Sequence, residues 1–213
     1  MFLFMEKIGS MIRAGISSGF FLVPLLFPVS HVLAEGISYD YAQADYISDT
    51  FDLNGSIRAV QGNGIGFALS LSFAPAFAAR LAVASTTFRD FHGVRVDSSK
   101  VTILGVTGHT SVAKNTDVFA NVSVVKAEIS ENNGVDRFNK SDYSAIFDVG
   151  LRHFVMDKFE LEVMVSQVKL FGYTLNSSVA GGRFYFRRRL SIGASYVAND
   201  IHDSFLITAR MGI

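Results

Sequence analysis

The run Gly64-Ile65-Gly66-Phe67-Ala68-Leu69-Ser70-Leu71-Ser72-Phe73 constrains this chain more than any other stretch. Its odd positions hold Ile, Phe, Leu, Leu and Phe; its even positions hold Gly, Gly, Ala, Ser and Ser. A β-strand sends successive side chains to opposite faces. One face here is therefore large and apolar, the other small and polar. A soluble barrel would fill its core with the apolar face. A membrane barrel would turn that face to lipid and line a narrow interior with the small one.

Variants of this unit recur along most of the 213 residues. The alternation predicts ten strands: Ile37–Ile47, Asn63–Phe73, Phe77–Arg89, Lys100–Ser111, Val118–Ile129, Tyr143–Val155, Phe159–Leu170, Ser177–Phe186, Leu190–Val197 and Ser204–Ile213. No Pro falls inside any of them, which suits full pairing. Long polar connections (48–62, 90–99, 130–142, 171–176, 198–203) alternate with tight ones at 74–76, 112–117, 156–158 and 187–189. That asymmetry, an even strand count and about ten residues per strand match an up-and-down antiparallel transmembrane β-barrel. Eight strands is the alternative count.

Composition narrows the field. There is no Cys, so disulfides, cysteine nucleophiles and cysteine metal sites are excluded. A formal net charge of zero argues against a nucleic-acid partner. After residue 34 no apolar run reaches 18 residues, which disfavours membrane helices. Residues 1–34 differ from the rest. Lys7 and Arg13 precede an apolar segment from Ile16 to Val29, and Val32-Leu33-Ala34 offers small or apolar residues before a cut. This is the layout of a cleaved secretory signal peptide, with Met1, Met5 or Met11 as the start. A membrane anchor is the competing reading, disfavoured by the segment's length and by Pro24 and Pro28. Residues 35–213 then form one domain.

Aromatic residues sort toward strand ends. Tyr39, Phe73, Phe77, Phe119, Phe154, Phe159, Phe184 and Phe186 lie at the tight-turn ends; Tyr46, Phe88, Tyr143, Phe171, Tyr173, Tyr196 and Phe205 lie at the long-loop ends. Two such bands are expected of a barrel with aromatic girdles. Several strands show clean faces: in the sixth, Ala145, Phe147, Val149 and Leu151 oppose Ser144, Asp148, Gly150 and Arg152. The third and fourth strands are ambiguous, and the first places Asp40 and Asp45 on different faces.

A leader, alternating strands, short and long connections in turn and a last strand with Phe205, Ile207, Ala209, Met211 and Ile213 on one face together resemble the small bacterial outer-membrane β-barrel proteins. These are the OmpA-type transmembrane barrel and its stand-alone relatives. The chain departs from them in ending on Ile213 rather than an aromatic, and in having ten strands rather than the usual eight. The resemblance implies a Gram-negative cell envelope. It also implies outer-membrane lipid and the barrel assembly machinery as partners, and a monomer.

A charge facing lipid at mid-bilayer costs about 2–4 kcal/mol, so strand charges are expected inside. Face parity sends Asp148, Arg152, Glu160, Glu162, Arg183 and Arg210 inward, with Asp40 beside them. Acids and bases of similar number in one lumen predict a salt-bridged network that closes the barrel. The alternative is a charged pore with weak porin-like conductance.

No enzyme constellation stands out, and no catalytic residue, cofactor or metal is expected. Asp200-Ile201-His202-Asp203-Ser204 contains an acid, a His and a Ser, but neighbours in a loop seldom reach the geometry a triad needs. His92 is a loop residue, and His109 and His153 are single strand residues without metal-ligand spacing. Gly62-Asn63-Gly64-Ile65-Gly66 opens no helix, so a phosphate loop is not expected. Arg187-Arg188-Arg189 reads as a solvated tight turn. The expected protein is thus a non-enzymatic outer-membrane barrel with a structural or surface role. The competing class is a soluble periplasmic barrel that binds a lipid or other apolar ligand.

Overall fold

Each residue of the first strand, Tyr41 to Phe51, pairs on one side with the second strand and on the other with the last. This double pairing closes the sheet. The computed structural model describes residues 37–51, 60–88, 95–132, 137–199 and 202–213. The expected leader at 1–34 and His92 lie outside these. Ten antiparallel strands form one closed up-and-down barrel: β1 (Tyr41–Phe51), β2 (Val60–Ala74), β3 (Phe77–Phe88), β4 (Arg95–Ala113), β5 (Thr116–Asn132), β6 (Arg137–Met156), β7 (Phe159–Leu170), β8 (Tyr173–Arg187), β9 (Leu190–Asn199) and β10 (His202–Gly212). The count is ten, not eight.

The register fixes the tilt. A path of paired residues runs Phe154, Glu160, Arg183, Gly193, Thr208, Asp45, Gly66, Ala84, Val101, Ala127 and back to β6 at Asp142, twelve residues from its start. With a rise of about 3.3 Å per residue and strands about 4.8 Å apart, that stagger tilts the strands by about 40°. The tilt is typical of membrane barrels.

The four tight connections are two-residue turns, at 75–76, 114–115, 157–158 and 188–189. Each hairpin carries a register shift one step before its turn, at Ser72/Ala74, Ser111/Ala113, Phe154/Met156 and Tyr185/Arg187. The bulged residues are Phe73, Val112, Val155 and Phe186, and all four are exposed apolar side chains. A bulge adds one unpaired residue and sharpens local twist. Here it also places an apolar side chain on the outside at every tight turn.

Strand bounds differ from the sequence expectation mainly at the other end. β1 begins at Tyr41, four residues later than expected, and runs on to Phe51. β4 begins at Arg95, β5 extends to Asn132 and β6 begins at Arg137. Hydrogen-bond ladders continue as long as neighbouring strands are present, whereas apolar alternation stops where an apolar surround would stop. The 20 residues of β6 span roughly 50 Å along the tilted axis at about 3.3 Å each, well beyond an apolar band of about 25 Å. The stretch 171–176, expected as a long polar connection, is instead a two-residue turn. Phe171 and Gly172 both have positive φ (50° and 85°), the signature of a primed hairpin turn. The backbone N–H groups of Phe171 and Tyr143 both donate to the Asp142 carboxylate, which pins this turn against β6.

The outer surface is apolar. Ile65, Phe67, Leu69, Leu71 and Phe73 are between 38% and 64% exposed. Phe147, Val149, Val163, Val165, Ile192, Ile207 and Met211 continue the surface around the barrel. The partner positions Gly66, Ala68 and Ser70 are buried inside. A soluble barrel requires the reverse, so the apolar-core alternative is not favoured. The aromatic bands are thinner than expected. Tyr39, Phe88 and Phe119 are buried in the interior, and Phe154 packs on Tyr185 inside. Phe73, Phe77, Phe184 and Phe186 remain outside at the tight-turn end, and Tyr46, Tyr143, Tyr196 and Phe205 at the other.

Candidate functional site at the lumen floor

Strands β6, β7 and β8 carry Arg152, Glu160 and Arg183 on their inward faces near the tight turns. Arg152 pairs in register with Glu162, and Glu160 with Arg183. Strand tilt brings Glu160, one pair lower on β7, level with Arg152. The Arg183 Nη1 donates to Glu160 Oε1 at 2.6 Å, and Tyr185 Oη donates to the other oxygen at 2.7 Å. Arg152 Nε donates to Glu162 Oε2 at 2.8 Å and lies 4.0 Å from Glu160. Glu160 is 1% exposed, Arg152 6% and Arg183 9%. Burying such charges is costly unless each is paired and hydrogen-bonded, and Arg suits this role because its planar fork matches a carboxylate.

The floor continues through aromatic and amide groups. Arg152 lies over the rings of Tyr39 and Phe119, at 4.9 and 5.1 Å. Tyr39 stacks on His109 with ring centroids 3.7 Å apart. Arg210 on β10 lies 3.8 Å over the Tyr41 ring and donates from Nε to Gln43 Oε1 at 2.8 Å. These contacts cross the seam between first and last strand. Arg80 of β3 also faces the interior.

Of the charges expected inside, Arg152, Glu160, Glu162 and Arg183 form one ionic cluster. Arg210 is buried beside it and makes its contacts with Gln43 and Tyr41. Asp148 is buried higher up and accepts from Asn121 Nδ2 and Ser166 Oγ, not from an arginine. Asp40 lies before β1 at the rim, where its carboxylate accepts the backbone N–H of Ser72. Sequence alternation missed Arg80, Tyr39, Tyr41, Gln43 and Phe119. Arg80 sits in Phe77-Ala78-Ala79-Arg80-Leu81-Ala82; alanine there appears on both faces, so polarity gave no parity. The aromatics sat at rim positions, and only their parity with Asn121 or Gln43 separates inside from outside.

Asp200 and Ile201 of the strand-end acid–His–Ser group lie outside the described residues. Ser204 Oγ donates to Asp49 Oδ1 at 2.6 Å, and the His202 ring is in contact with Asn199. Among the described residues no three His, Cys, Asp or Glu side chains are grouped to hold a metal ion.

No family model and no curated protein matches the sequence. Among solved structures, the barrel is similar to an outer-membrane channel from Pseudomonas putida F1 at 8% identity, covering 87% of this chain and 100% of that one, with a TM-score of 0.49. It is similar to Neisserial surface protein A at 9% identity, covering 84% of this chain and 100% of that one, TM-score 0.47. It is similar also to the translocator domain of the autotransporter NalP from Neisseria meningitidis at 12% identity, covering 98% and 96%, TM-score 0.47. The likeness lies in architecture alone.

Proposed function

We propose that the chain is an integral barrel of a bacterial outer membrane, exported by residues 1–34, with a structural or surface-exposed role. The observation that carries this reading is the apolar exterior. Aliphatic and aromatic side chains cover the barrel wall, and water is a poor surround for so large a contiguous patch. Lipid is a good one, and a closed sheet leaves no backbone edge to satisfy inside a bilayer. The cluster of Arg152, Glu160, Glu162 and Arg183, with the rings of Tyr39, Tyr41 and Phe119, closes the lumen at the tight-turn end. Conductance is accordingly weak. Lipid and the assembly machinery are its partners, and it works as a monomer.

The test is purification followed by planar-bilayer recording. The protein is expected to need detergent, to migrate faster on a gel before heating than after, and to pass little current in a bilayer. A monodisperse protein in detergent-free buffer overturns the membrane reading. Large, stable single-channel steps overturn the closed floor and leave the membrane reading intact.

A further inference from the structure

A cavity of about 180 Å³ lies directly above the floor. Its size is comparable to an apolar protein cavity of roughly 150 Å³ that accepts a benzene ring. Its two ends differ in chemistry. The lower end has four guanidiniums, Arg80, Arg152, Arg183 and Arg210, against two carboxylates, Glu160 and Glu162. The glutamates are taken up by Arg152 and Arg183. Neither Arg80 nor Arg210 has a carboxylate within ion-pair distance among the described residues. Arg80 Nε and Arg210 Nη1 are buried without a hydrogen-bond partner, and so are Arg152 Nη1 and Arg183 Nε. Arg210 as a whole is 7% exposed. Buried guanidinium donors are ordinarily occupied, so this group of donors is short of acceptors.

The upper end is mainly aliphatic, with Ser195 paired beside Leu206. Met164, Val179, Val197 and Leu206 line the same cavity on the inward faces of β7 to β10. The interior of a membrane barrel is ordinarily polar; Met164 also packs against the floor's Tyr39 and Phe119, but the floor's ion pairs and hydrogen bonds use none of these four. An inorganic anion would occupy the arginines and leave the aliphatic wall facing water. An uncharged apolar molecule would leave the guanidinium donors empty.

We propose that the lumen cavity binds a small amphipathic carboxylate. Its head sits on Arg80 and Arg210, where a guanidinium fork matches the two oxygens, and its body, about one ring in size, packs on Met164, Val179, Val197 and Leu206. This site rests on the floor, shares Arg210 with it and does not depend on conduction.

The test is a titration of the detergent-folded barrel with benzoate by calorimetry. Acetate, inorganic phosphate and benzyl alcohol serve as comparison ligands. Benzoate is expected to saturate one site, at least tenfold tighter than each of the other three. In NMR spectra the Nε–H signals of Arg80 and Arg210 shift saturably with benzoate, while that of the exposed turn residue Arg188 does not. The pair Arg80→Met and Arg210→Met abolishes binding. If that variant loses its heat-modifiable mobility, Leu206→Phe replaces it: it fills the apolar end, keeps every arginine, and is expected to lose benzoate as well. Equal binding of acetate or phosphate removes the apolar half of the proposal. Equal binding of benzyl alcohol removes the arginine half. No saturable site for benzoate overturns it altogether.

Discussion

Glu160 shows how much one residue holds. Arg183 and Tyr185 occupy its two oxygens, and Arg152 lies at 4.0 Å. Glu160→Gln removes a charge that two buried guanidiniums share, and breaking such a pair costs about 3–5 kcal/mol. Glu162→Gln, at a side chain 22% exposed, loses one charged hydrogen bond, about 1–3 kcal/mol. Urea midpoints of the barrel folded in detergent should rank them in that order; equal losses would place the centre of the floor elsewhere. These acids were legible in the sequence because β6 and β7 alternate cleanly around them. Arg80 was not, because alanine is small enough for either face. Tyr39 and Phe119 were read as girdle residues because an aromatic ring suits both a lipid interface and a cation.

At the scale of the hairpin, the two ends of the barrel follow different rules. The tight-turn end repeats one device four times: a two-residue turn preceded by a bulge that turns Phe73, Val112, Val155 or Phe186 outward. Its repetition made these turns easy to read. At the opposite end the described connection is of a different kind. There β7 and β8 join through Phe171-Gly172, held by the Asp142 carboxylate from a third strand. The sequence marks a connection at 171–176 but not its two-residue length, because the anchor lies 29 residues upstream. Asp142→Ala should leave the fold intact and free the Phe171 amide. Losing a net hydrogen bond of about 1.4 kcal/mol predicts roughly tenfold faster hydrogen exchange at that amide. Unchanged exchange would mean that the turn holds itself.

For the molecule as a whole, the surround is set by which face the strands turn outward. Phe67 sits mid-strand and Phe73 beside a tight turn, and both are exposed. Phe67→Arg should cost about 2–4 kcal/mol of folding stability in lipid vesicles, and Phe73→Arg about 0–1 kcal/mol, because the cost of a cation falls from mid-bilayer to the interface. Equal costs at the two depths would contradict a bilayer centred on Phe67. Closure and strand count were legible from alternation and turn spacing together. The exact stagger was not, since register depends on which strands meet, and β1 slid four residues from its expected place to meet both neighbours.

The seam between β1 and β10 has a consequence in time. Gln43 meets Arg210, and Asp49 meets Ser204, across sequence separations of 167 and 155 residues. Neither contact exists until the last strand has been delivered, and contacts so distant in sequence come late when loop-closure entropy governs the order of events. Interactions absent from the transition state mostly govern escape rather than arrival. Ser204→Ala should therefore leave the folding rate in vesicles nearly unchanged and raise the unfolding rate, making this hydroxyl a latch on the lifetime of the closed barrel.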